Sequence, residues 1–346
     1  MKMLKKIPNC IYVFILILLL IVDALGLGDE EFIKKIKFAQ VSEAYDTLIA
    51  FWPSLKSISE QYIAIFILAT IIVLTAFFLK LFYRERLYVM AHFSFEEAGC
   101  GLGKETKKKY WIKTVTLNQS SCFVDGVPEK RIISEIDEKI RCLQHEARGR
   151  KMGYYGVTHI PFAFLAGYDL GDQSKIHVFH RKRHNSEMFE ELSDGANYDL
   201  RFDEDEKQKT KKSNELIVAI STSIKITEDE IKRSFGKDKH IVSLSLNNPG
   251  YDQLDKYESV ERAAREAWDC IRKYSKEYDI RIIHLLIASS VCFAFYIGRN
   301  CSAQIDPQII VYHYQNGQYT WGISVNGDNS KKQIIELKDS RAEEKV

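Results

Sequence analysis

The sequence predicts an α/β protein: two transmembrane helices followed by two fused Rossmann-like units with mostly parallel sheets. Three observations carry that prediction. Tyr62–Leu79 is apolar throughout except for Thr70 and Thr75, and such a run is long enough to cross ~30 Å of hydrocarbon at ~1.5 Å per residue. From about Ile132 onward, short strand-like runs alternate with helical periodicity, the pattern of a doubly wound sheet. The two halves of that region also echo one another.

The first element is an N-terminal helix hairpin over residues 1–89. Ile11–Val22 is purely apolar and follows Lys2, Lys5 and Lys6; extended to residues 7–27 it is long enough to span, with Asp23 at the headgroup level. A cleaved signal peptide with a poor Val22-x-Ala24 site is the competing reading. The second span covers residues 62–82. Lys2, Lys5, Lys6, Lys80, Arg84 and Arg86 flank the outer ends, against Lys34, Lys35, Lys37 and Lys56 in the connecting loop. That asymmetry places both termini on the cytoplasmic side. Phe32, Ile33, Ile36, Phe38 and Val41 fit one helical face, so residues 28–60 hold either a surface-lying amphipathic helix or a plain loop. The seven cysteines form no C-x-x-C pair, which points to reduced thiols in a reducing compartment. A net charge of +2 argues against a protein that coats DNA.

Residues 90–130 read as a connector with one strand at Trp111–Leu117. Gly99–Lys104 resembles a phosphate loop, but Ala98 and Glu105 stand where a glycine and a hydroxyl residue belong. Residues 131–335 form the main soluble domain, with halves at 131–202 and 213–335. The first half predicts a helix at Ile133–Arg148, a second from His159 to Tyr168 that ends near Gly167, and a strand at Ile176–Phe179. Asp203–Asn214, acids first and lysines after, reads as a solvated connection. The second half predicts strands at Leu216–Ser221, His240–Leu246, Ile280–Ile287 and Ile309–Tyr314. A helix with capping-box spacing at Thr227 and Glu230, a long amphipathic helix at Tyr257–Tyr278 and a helix from Ser289–Ser290 to Gly298 lie between them. Gly317 and Gln318 close a hairpin into Tyr319–Val325. Lys175–His180 can be laid on Gln308–His313, and Phe162–Gly167 on Phe293–Gly298, at offsets of 133 and 131. A duplication explains the match, and chance likeness between two apolar helix–strand pairs is the alternative.

Ligands on such sheets bind beyond the carboxyl ends of strands. Ser221, Thr222 and Ser223 sit at one strand end, and Ser289 and Ser290 at another, ahead of a helix whose free N–H groups suit an anion. Singly, each reads as an ordinary turn or cap residue; together they mark a pocket. Arg299, His180 and Arg181 are the cations for phosphates, although a solvated basic hairpin also explains the last two. Tyr314 and Trp321 are the aromatics for base stacking, with a core role as the competing reading. The nine histidines show no metal-ligand spacing, and no G-x-S-x-G occurs. The expectation is a non-enzymatic sensor without cofactor or metal.

Gly156–Arg181, Leu216–Thr222, and above all Ile282–Gly298 followed by Gln308–Trp321 resemble a SAVED domain over roughly residues 130–330. Ser289-Ser290 depart from the pattern, which carries a proline nearby. The resemblance implies two fused CARF-like units, in agreement with the echo. With two membrane helices ahead of it, the chain resembles the membrane-spanning SAVED effectors of CBASS anti-phage systems. That likeness implies a cyclic oligonucleotide ligand, a cyclic trinucleotide made by a cognate nucleotidyltransferase. It further implies ligand-induced homo-oligomers, contact with membrane lipid, disruption of the bacterial inner membrane and abortive infection, with no role for DNA. The alternatives are a membrane-tethered ring nuclease acting on the same ligand and a membrane scaffold that binds no nucleotide.

Overall fold

The computed structural model describes residues 70–74, 85–95, 101–171, 176–181, 188–197, 199–207, 214–327 and 331–337. The chain divides into two compact units, Met1–Tyr83 and Arg84–Val346. In the first, residues 70–74 are helical, and Ile71, Ile72 and Val73 turn apolar side chains to the exterior. They fall within the predicted span 62–82; the rest of that span, the span 7–27 and the loop 28–60 lie outside the described residues. Among the described residues, no helix is long and apolar enough to cross a membrane.

The second unit is built on two sheets. The first contains β1 (Glu85–Phe93), β2 (Tyr110–Asn118), β5 (Lys151–Val157), β6 (Ile176–His180) and β7 (Glu190–Glu191) in the order β2-β1-β5-β6-β7. Its pairs β1–β2, β1–β5 and β5–β6 are parallel. Residues 90–130, expected as a connector, therefore supply the end of β1 and all of the edge strand β2. β1 is buried along nearly its whole length, so it reads as an unbroken apolar run rather than an alternating one. Helix α1 (Lys104–Lys109) precedes β2. A small hairpin, β3 (Phe123–Val124) with β4 (Val127–Pro128), turns through Asp125 and Gly126, both at positive φ, as a tight two-residue turn requires.

Helix α2 (Arg131–Ala147) buries Ile132, Ile136, Ile140 and Leu143 against the first sheet, with Ile133 half-buried beside them. Helix α3 (Ile160–Leu170) starts with Pro161 in its first turn, where the missing N–H costs nothing. It runs through Gly167 and ends at Gly171, one turn beyond the predicted stop.

The second sheet has the order β14-β13-β12-β11-β9-β10-β8. Its strands are β8 (Phe202–Lys207), β9 (Glu215–Ser221), β10 (Ile241–Leu246), β11 (Ile282–Ala288), β12 (Gln308–Gln315), β13 (Gln318–Val325) and β14 (Gln333–Glu336). β10–β9, β9–β11 and β11–β12 are parallel, while β8, β13 and β14 add antiparallel edges. Between them lie α4 (Glu228–Phe235), α5 (Tyr257–Glu277) and α6 (Val291–Arg299). The capping box at α4 is present: Thr227 accepts from the Glu230 N–H, and Glu230 accepts from the Thr227 N–H.

β8 corrects the expectation that Asp203–Asn214 is wholly a solvated connection. Alternate acids of that strand face α5: Glu204 accepts from the Tyr274 hydroxyl, and Glu206 from the Tyr278 hydroxyl at 2.9 Å. The period of two is real, but acids with tyrosine partners carry it instead of apolar residues.

In each half the second, first, third, fourth and fifth strands lie side by side in that order, β2-β1-β5-β6-β7 in one and β10-β9-β11-β12-β13 in the other. The duplication thus starts at β1, well before residue 131. The two copies dock through their equivalent helices. A Cβ on Gly167 of α3 would stand 2.0 Å from the Phe295 carbonyl oxygen, and a Cβ on Gly298 of α6 would stand 1.9 Å from that of Phe164. Phe164 and Gly167 are offset by 131 from Phe295 and Gly298, so the contact is reciprocal about a local two-fold. Any side chain at either glycine would push the helices apart. One apolar core, including Phe162, Phe164, Phe293 and Phe295, runs through both copies.

Candidate functional site

In a sheet of this order, the first and third strands have their crossovers on opposite sides, which opens a crevice at their carboxyl ends. The fold has two such places, β9/β11 in the second copy and β1/β5 in the first. At the end of β9, Thr222 donates its hydroxyl hydrogen to Ser289 Oγ beyond β11, at 2.8 Å. The Thr222 and Ser223 N–H groups both donate to the Ala288 carbonyl, at 3.0 and 3.1 Å. Ser290 caps α6, accepting from the Phe293 N–H at 3.3 Å. The Ser223 hydroxyl has no protein partner among the described residues.

These groups line a cavity of about 400 Å³, open on one side. The first copy supplies the opposite wall, with Val157 at the end of β5, His180 and Arg181 at the end of β6, and Phe189. Tyr251 and Gln253 complete the rim from the β10–α5 loop. His180 is buried and Arg181 exposed, so the cavity has a cation at its mouth facing hydroxyls and a helix N-terminus. That combination suits phosphate. Cys292 also lines it, but its S–H donates to the Phe179 carbonyl and burial pushes its thiol up to about 12. It stays protonated and unreactive.

Of the ten residues expected at a ligand site, the structure brings together Thr222, Ser223, Ser289, Ser290, His180 and Arg181. The other four lie outside the cavity lining. Ser221 turns inward and accepts from the Ile226 N–H at 2.9 Å, closing the loop after β9. Arg299 is at the far end of α6 from Ser290 and donates to the Gly171 carbonyl at 3.0 Å, tying α6 to the end of α3. Tyr314 is exposed, and its hydroxyl donates to Glu230 at 2.6 Å. Trp321 is fully buried and packs on Phe162, His159 and His313. Tyr251 and Gln253 carry no ligand signal in the sequence, where the only local mark is the strong turn at Asn247–Gly250.

The equivalent place in the first copy has a similar polar frame, and among the described residues aromatic rings pack around it. Thr158, beyond β5, donates to Ser94 Oγ, beyond β1, at 3.0 Å, a hydroxyl pair like that of Thr222 and Ser289 with the donor on the other strand. The His159 N–H donates to the same Ser94 oxygen at 2.9 Å, and Ser94 lies 2.6 Å from His159 Nδ1. Phe95 stacks on the His159 ring at 4.3 Å, with Phe123 and His313 packed on it at 4.9 and 4.6 Å. Burial pushes His159 down to about 3 and His313 to about 4, so both rings are neutral there. His313 is the echo of His180: one fills its crevice, the other lines an open one.

The model of the SAVED family, the SMODS-associated and fused to various effectors sensor domain, matches residues 135–325. No curated protein matches the chain. Among solved structures, the Acinetobacter baumannii Cap4 SAVED/CARF-domain containing receptor with the cyclic trinucleotide 3'3'3'-cAAA is similar at 16% identity and a TM-score of 0.49, covering 68% of this chain and 50% of that one. The Moraxella osloensis Cap4 SAVED/CARF-domain containing receptor is similar at 14% identity and a TM-score of 0.43, covering 68% and 49%. The chain thus spans about half the length of those receptors. With the family model matching more than half of its residues, across both sheets and the cavity between them, the chain belongs to the SAVED family of sensor domains.

Proposed function

We propose that the protein is a membrane-anchored receptor for a cyclic oligonucleotide, a cyclic trinucleotide made by a cognate nucleotidyltransferase. In this reading, binding gathers copies into a homo-oligomer that disrupts the bacterial inner membrane in anti-phage defence. The observation that carries the reading is the cavity itself: both copies of the duplicated unit contribute to it. Strand-end hydroxyls and the N-terminus of α6 come from one copy, and His180 and Arg181 from the other. A ring with several phosphates and bases can bridge two such walls, and bridging converts ligand binding into a change between the copies. The ligand drives assembly only if it binds the assembled state more tightly than the single copy.

The anchor rests on the apolar run Tyr62–Leu79 and the segment 7–27, with both termini cytoplasmic by the Lys and Arg count. The soluble unit starts at Arg84, so a truncation that tests the anchor must end at residue 83; removing residues 1–88 would also cut into β1. Cells that make the ligand should survive expression of the truncated chain and die with the full one. Killing by the truncated chain would contradict membrane disruption.

The direct test of the receptor is calorimetric titration of the detergent-solubilised full chain with cyclic di- and trinucleotides of adenosine and guanosine. At least one ring should bind, and chromatography should recover it intact. A cleaved ring would favour a ring nuclease, and absence of binding across the panel a scaffold.

A further inference from the structure

The least expected polar group of the cavity belongs to the β10–α5 loop. Gln253 folds back over Gly250: its Cγ and Nε2 lie 3.3 and 3.2 Å from where a Cβ on Gly250 would stand. A glycine leaves room for that conformation, and an alanine would displace the amide by a few tenths of an ångström. The amide lines the cavity and is half-buried, and it has no hydrogen-bond partner among the described residues. Such a group has lost part of its water without gaining a protein partner, an arrangement that favours a ligand in its place. Beside it, Tyr251 is 42% exposed, and Ile224, also on the lining, is 54% exposed. A half-buried, unpartnered amide on the wall of such a cavity is suited to a nucleobase, whose edge it can read.

The chemistry of the amide narrows the base. It presents one donor and one acceptor side by side, the complement of adenine N6–H and N7. At the same edge guanine offers O6 and N7, both acceptors, so one of the two hydrogen bonds is lost whichever way the amide is turned. We infer that Gln253 is a specificity-determining residue that selects an adenine base, held in place by the absence of a side chain at Gly250. This inference rests on the receptor reading given above.

The test is the adenine-over-guanine affinity ratio of the full chain, measured with cyclic tri-AMP and cyclic tri-GMP and, in parallel, with the two cyclic dinucleotides. The parent should prefer an adenine ring. Gln253→Met, which keeps the size but loses both donor and acceptor, and Gln253→Leu should lower that ratio by about tenfold to a hundredfold. Gly250→Ala should lower it in the parent but not further in Gln253→Leu, because it acts through the amide. A merely structural role would weaken both rings equally and leave the ratio unchanged. Adenine rings that bind with a ratio unmoved by Gln253→Met and Gln253→Leu would overturn the inference and leave the receptor reading intact. Binding of none of the four rings would overturn both.

Discussion

The two crevices of the duplicated fold have nearly the same polar frame and opposite contents. Beyond β9 and β11, Thr222 and Ser289 face an open cavity. Beyond β1 and β5, Ser94 and Thr158 form the corresponding pair with the donor on the other strand, and Phe95, Phe123 and His313 pack around His159 beside it. The hydroxyl pair is therefore a property of the fold, holding two parallel strand ends together. What distinguishes a binding site is what stands over the pair. In one copy small residues and a loop leave space, while in the other aromatic rings take it. The difference predicts that ligand binding and fold stability are carried by different members of the same equivalent positions.

The largest expected effect is at Trp321, which covers the closed crevice. Trp321→Ala should destabilise the protein by about 3–5 kcal/mol while the folded fraction binds ligand as the parent does. Lost affinity at unchanged stability would move Trp321 back into a binding site. Next come the reciprocal glycines. Gly167→Ala and Gly298→Ala each insert a methyl group against a backbone carbonyl and should each cost about 1–3 kcal/mol in thermal unfolding. A large effect at one and none at the other would break the two-fold.

A pH series separates the crevices by their histidines. In the unfolded chain His159 titrates near 6.5, whereas burial keeps it neutral to about 3 in the fold. Between those values the unfolded state binds more protons, so stability is complete above pH 6.5 and falls as pH is lowered. The slope from this residue should approach about 1 kcal/mol per pH unit, and His159→Asn should flatten the profile between pH 6.5 and 4. An unchanged slope would mean that water reaches the ring and the crevice is open. The smallest effects are at the threonines. Thr222→Val should weaken ligand binding by about 1 kcal/mol, and Thr158→Val should lower stability by about 1–3 kcal/mol with affinity unchanged.

The second copy was largely legible in the sequence. Its strands are apolar runs closed by strong turns, and Thr227 and Ser290 cap their helices as their spacing indicated. The start of the first copy was not. β1 is covered on both faces, comes soon after an apolar segment and lacks the alternation that marks a half-exposed strand. Missing β1 hid Ser94, and with it the closed crevice. Gly167 read as a helix end because glycine usually ends helices; here it lies inside one, where a neighbouring backbone needs the room. Strand-end hydroxyls were recognisable from position alone. That Trp321 is core and Gln253 faces the cavity depends on how the two copies meet, and no local pattern records that.

Hydrogen exchange of the full chain with and without cyclic tri-AMP tests the central claim most directly. The account predicts slower exchange on ligand addition at Thr222–Ile224, Gly250–Leu254 and Ser289–Cys292, and no change at Ser94–Phe95 or Thr158–Ile160. Protection confined to the segments around Ser94 and His159 would place the ligand in the closed crevice and contradict the account.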